Sequence, residues 1–195
     1  MAIITITEIL ALVIVSLYLG FIFSGLISYR IKTAYDYMHK RRFDSRDFWF
    51  AVLVAAPGVI LHELAHKFVG LAFGLGAVFV PFYDNLTTLI VAGFSIVLKI
   101  LASPFILIVP GFVSLTGNVT PPISLLTALA GPSVNLILWL GAAYILKKKH
   151  NVKRKTTAVL SLTAFINKWL FIFNMLPIPP LDGSKVLFGL IGIIS

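Results

Sequence analysis

The chain has 195 residues, of which 59% are hydrophobic and 12% charged, about half the charge of an ordinary soluble domain, and its mean hydropathy is +1.01. That composition excludes a disordered or collagen-like chain, and the absence of cysteine excludes a disulfide framework and thiolate chemistry. The net charge of +9 gathers in two short connections between apolar runs, residues 30–46 and 147–155, as in loops that face anionic headgroups; with no recognition module beside it, nucleic acid is not an expected partner. The expectation is a multi-pass integral protein of the cell membrane, with the lipid bilayer as its immediate partner.

In chain order, residues 3–29 form the first apolar segment, with Glu8 near its start. The run lacks a basic leader and a small-residue cleavage site, so it reads as a retained helix. Residues 48–71 form a second segment that holds His62, Glu63, His66 and Lys67, groups that are expensive inside a bilayer and need a reason to be there. Pro57-Gly58 is read as a bend one turn earlier. Residues 72–87 are too short to span; Val78-Phe79-Val80 points to a strand, which at membrane depth needs protein or water against it. Residues 86–109 are apolar apart from Lys99 and either cross or dip and return. Residues 111–122 read as a turn-rich link or short hairpin. Good spans follow at 125–146 and 157–176. Three prolines between Pro177 and Pro180 end the last one, and the helix that resumes after Ser184 is too short to cross alone. The fold class is therefore an all-α polytopic membrane protein with about 5–6 membrane segments, organised as a single membrane-embedded domain over residues 1–195.

His62-Glu63-Leu64-Ala65-His66 fits H-E-x-x-H. Residues four apart on a helix stand about 6 Å apart along the axis and on one face, so two imidazoles can reach one metal ion. Glu63 points to the side, where it can hold a water. A catalytic zinc normally has three protein ligands. Outside the motif and the basic loops the acids are Glu8, Asp84 and Asp182. Asp84 lies in a turn, where a short acid is unremarkable. Asp182 follows a span inside a Pro-rich break, a depth at which a carboxylate calls for a cation.

Three motifs taken together resemble the site-2 protease family of intramembrane zinc metalloproteases. They are H-E-x-x-H at 62–66, A-G-P-x-x-N at Ala130-Gly131-Pro132-Ser133-Val134-Asn135, and N-x-x-P-x-x-P-L-D-G from Asn174 through Pro177, Pro180, Leu181 and Asp182 to Gly183. The similarity covers roughly 48–190, with 3–29 left as an accessory helix. The resemblance implies one Zn2+ per chain bound by His62, His66 and Asp182, with Glu63 as general base. Asn135 would lie near the cavity and stabilise an oxyanion or orient substrate. It also implies a three-helix catalytic core and a small strand or hairpin over 75–82, after the H-E-x-x-H helix, whose edge pairs with the substrate. The implied partners are membrane proteins with a transmembrane segment, and the implied function is zinc-dependent endoproteolysis in or near such segments. The sequence sets no oligomeric state.

Two expectations compete over orientation. If residues 86–110 cross once, the two basic loops lie on opposite faces; if they re-enter or cross twice, the loops share a face. The positive-inside rule favours one shared, cytoplasmic face, which turns His62 and Asp182 outward, whereas the resemblance puts the site nearer the cytoplasm. His39 and His150 read as solvated loop residues. Lys67 is read as snorkelling to the interface, and Lys99 as doing the same or marking a break. Asn174 is either a polar contact between helices or part of a water entry. A transporter built on a broken helix lacks visible inverted halves. A non-proteolytic metal-binding scaffold is the remaining alternative, and it gives no reason for Glu63.

Overall fold

A computed structural model describes residues 3–25, 43–101, 103, 108–148 and 153–194. The readings of His39 and His150 lie outside these residues. In chain order the elements are α1 (Ile6–Phe23), α2 (Ser45–Ala72), β1 (Gly76–Pro81), α3 (Leu86–Ile100), β2 (Gly111–Thr116), α4 (Pro121–Lys148), α5 (Arg154–Asn174) and α6 (Asp182–Ile194).

Among the described residues four helices, α1, α2, α4 and α5, are long and apolar enough to cross a membrane, and the chain is a multi-pass integral membrane protein. This corrects the expected five or six segments. The apolar stretch from residue 86 forms a helix only as far as Ile100, shorter than a span of about 20 residues, and the chain then returns to lay β2 antiparallel against β1. The thirteen-residue α6 is shorter still. The expected strand is present, but its partner arrives after a helix instead of across a tight turn.

Local chemistry sets the helix starts. Thr5 and Glu8 form a reciprocal capping box on α1, Asp44 accepts from Arg46 N at the start of α2, and Asn85 accepts from Thr87 N and Thr88 N at the start of α3. These side chains satisfy amides that no helical carbonyl reaches. α2 continues through Pro57 as one helix.

α4 packs against α2, α5 and α6, and α2 also packs against α1. Ala51, Ala55 and Ala56 of α2 are buried at these contacts, where small side chains let helix backbones approach in the absence of a hydrophobic drive between helices. Val15, Leu19 and Ile22 of α1 pack with Ala56, Val59 and Phe79 in one cluster, while Phe50, Val54 and Ile166 join α2 to α5 in another.

Lys67 does not snorkel, whereas Lys99, read as snorkelling or marking a break, stands in the last turn of α3 where the helix stops. Lys67 is buried in an ion pair with Glu8 of α1. Lys99 donates to the carbonyls of Ile22, at 2.9 Å, and Ser24, where a cation complements the negative end of α1. Arg46 and Lys155 line the same surface cavity, so α2 and α5 begin at the same end of the bundle, on one shared face.

Candidate metal centre

His62 and His66 lie one turn apart on α2, and Asp182 opens α6. All three are buried, and one ligand atom from each lies within 4.8 Å of the others. His62 Nε2 and His66 Nε2 are 3.0 Å apart, and each is 3.1 Å from Asp182 Oδ2. Donor atoms that share one tetrahedral cation at ~2 Å stand ~3.3 Å from one another, so the triangle has the size of a metal-ligand face.

The outward nitrogens decide what the inward ones carry. His66 Nδ1 lies 2.7 Å from the carbonyl oxygen of Thr127, which can only accept, so the neutral, metal-binding ring carries its proton on Nδ1 and presents a lone pair at Nε2. His62 Nδ1 lies 2.5 Å from Asn135 Oδ1 and donates in the same way. Two imidazole lone pairs and a carboxylate oxygen then face one another with no proton between them, a donor set that fits a borderline-soft cation such as zinc.

The surrounding backbone makes room for it. A Cβ at Gly131 of α4 would stand 2.7 Å from His62 Nε2 and closer still to His66 Nε2, so only glycine leaves the space in front of the rings. A Cβ at Gly183 would strike the carbonyls of Met175 and Leu176, the turn that delivers Asp182. That carboxylate sits in the first turn of α6, where the helix favours negative charge. Its Oδ1 lies 3.6 Å from Lys185 Nζ, which leaves Oδ2 to the histidines.

Glu63 is buried beside the triad, and among the described residues no hydrogen bond holds its carboxylate. Asn135 is fully buried. Its Oδ1 is taken by His62, and its Nδ2 donates to the Gly58 carbonyl at 3.2 Å and to Asn167 Oδ1 at 2.8 Å. The structure thus brings all five candidate residues to one site and leaves Glu8 and Asp84 out of the triad. Sequence reasoning missed Thr127, Asn167 and Lys185. Thr127 acts through its backbone, which carries no side-chain signature. Asn167, an amide inside an apolar span, was visible as a polar group in need of a partner.

The model of peptidase family M50 matches residues 141–195. A Methanocaldococcus jannaschii protein named as a zinc metalloprotease is 33% identical over 144 residues, covering 72% of this chain and 70% of that protein. The chain belongs to the site-2 protease family. Two further relatives named as zinc metalloproteases come from Synechocystis sp., 28% identical over 147 residues, 73% of this chain and 32% of that protein, and Bacillus subtilis, 36% identical over 74 residues, 34% of each. The chain therefore aligns with only about a third of each of these last two. No solved structure matches. The M50 match includes Asp182 but begins after the H-E-x-x-H and A-G-P-x-x-N motifs.

Proposed function

We propose that this site-2 protease is a zinc-dependent endopeptidase that hydrolyses peptide bonds in or near the transmembrane segments of membrane proteins, within one membrane-embedded domain over residues 1–195. The observation that carries the reading is the convergence of His62 Nε2 and His66 Nε2 of the spanning helix α2 with Asp182 Oδ2 of the short α6, beside a buried Glu63. These three residues would hold one zinc ion per chain. When bound, zinc supplies Lewis acidity, which polarises a carbonyl oxygen and makes water acidic near neutral pH.

Glu63 orients the attacking water and takes its proton as the new C–O bond forms. It returns that proton to the amide nitrogen as the C–N bond breaks. Asn135 has both amide hydrogens committed to Gly58 and Asn167, which leaves none for a developing oxyanion; its part is to hold His62.

A substrate helix must unwind before its carbonyl is open to attack, and an unwound segment needs backbone partners at membrane depth. The β1–β2 register favours β2 as the source. Phe82 N donates to Pro110 O, so in this register residues 76, 78 and 80 pair inward while 77, 79 and 81 face out. Of the outward positions, Pro81 has no N–H and Phe79 N already donates to Glu8 Oε1 at 2.9 Å. On β2 the outward positions are Gly111, Val113 and Leu115, and among the described residues none of their amides has an acceptor. The added strand belongs on β2, not on the edge of 75–82.

The test is zinc content and cleavage of a transmembrane model substrate by detergent-purified protein. About one zinc is expected in wild type and in Glu63→Gln, with zinc lost in Asp182→Ala and cleavage confined to wild type. Equal cleavage by wild type and Glu63→Gln would overturn the assignment of the base, and zinc binding without any cleavage would favour the scaffold.

A further inference from the structure

We infer that Asn167 of α5 is a positioning residue for the metal centre, acting on His62 through Asn135. The inference rests on the zinc reading above.

A chain of hydrogen bonds runs across three helices. Asn167 Nδ2 donates to the Thr163 carbonyl at 2.8 Å. A carbonyl can only accept, so the amide nitrogen of Asn167 must face it and Oδ1 must face α4. Asn135 Nδ2 donates to that oxygen at 2.8 Å, which fixes the second amide and turns Asn135 Oδ1 toward α2. There it accepts from His62 Nδ1, and the unprotonated Nε2 is left to face His66 and Asp182. Each amide has two orientations, and reversing either one would set like groups against each other in a buried contact. The bond from Asn135 to Gly58 is longer, 3.2 Å, and it shares a carbonyl that lies within α2. Asn167 is therefore the stronger of the two restraints.

A separate observation shows that the fold keeps a place for this side chain. Asn135 and Asn167 are both 0% exposed. A Cβ at Gly58 would come within 2.6 Å of Asn167 Oδ1 and 3.0 Å of its Nδ2. The glycine after Pro57 thus matters as the gap into which the Asn167 amide fits. A buried amide inside an apolar span has a cost that an apolar side chain would not; the amide is explained by what it orients.

The test is zinc retention against a chelator by purified full chain, with thermal unfolding as the check on folding. Asn167→Leu is expected to lose zinc about 10- to 100-fold faster than wild type, the usual effect of removing a partner behind a metal ligand. Asn167→Asp, which keeps an acceptor for Asn135 Nδ2, restores retention. Gly58→Ala reproduces the loss by displacing the amide. In an Asn135→Ala background, Asn167→Leu adds no further loss, because the path to His62 is already cut. Wild-type retention in a folded Asn167→Leu, or a full additional loss in the double variant, overturns the inference and leaves the triad standing. Absence of zinc from reconstituted wild type overturns the zinc reading and this inference with it.

Discussion

Glu8 and Lys67 form a buried ion pair that joins α1 to the helix carrying the metal triad. Lys67 follows His66 directly, and the same Glu8 oxygen accepts from Phe79 N of β1 at 2.9 Å. One carboxylate thus ties the first helix, the triad helix and the strand together at a single point. Breaking a buried pair on one side leaves the other charge without a partner, at about 3–5 kcal/mol. Glu8→Gln is expected to destabilise the protein by that order, read as a fall in thermal or SDS-induced unfolding midpoint. The double variant Glu8→Gln with Lys67→Met is expected to recover part of the loss. A double variant as unstable as the sum of the single changes would show that the pair is not the source.

Gly131→Ala places a methyl group against both imidazole Nε2 atoms. The expected outcome is a folded chain that retains less than about a tenth of wild-type zinc after dialysis. Gly141 has open space where its Cβ would be, so Gly141→Ala is the matched control and keeps its metal.

Val113→Pro removes one outward amide from β2 while leaving the ladder to β1 intact, since a proline on an outward position costs the sheet no bond. A fall of about tenfold or more in kcat/KM for membrane substrates is expected, with zinc content unchanged. Unaltered kinetics would remove β2 as the docking edge.

The native chain has no cysteine, so single introduced thiols can be labelled without background. Ser45→Cys and Lys153→Cys stand at the starts of α2 and α5, near the Arg46 and Lys155 that share one cavity. Both are expected to react with a membrane-impermeant reagent from the same side of intact cells. Opposite accessibility would contradict the shared face.

Much of the site was legible because its spacing is local or its motifs are contiguous. His62 and His66 declare themselves through helical periodicity, and Gly131, Asn135 and Asp182 sit in motifs that can be read off the chain. Lys67 was misread because its partner lies 59 residues away, and nothing in the sequence of α2 names Glu8. The number of crossings was misjudged because hydropathy measures how apolar residues 86–109 are, not where the helix stops. Asn167 was overlooked for a related reason: a single amide in an apolar run announces that it needs a partner without saying which helix supplies it.

The wide separation of the triad along the chain has a consequence for biosynthesis. Asp182 follows His62 by 120 residues and His66 by 116, and α4 and α5 intervene. A growing polypeptide therefore carries the H-E-x-x-H helix through the translocon well before its carboxylate partner exists. The three-ligand site is complete only when α6 brings Asp182 to the two histidines, so an unfinished or stalled chain sits among other nascent membrane proteins without the means to cut them.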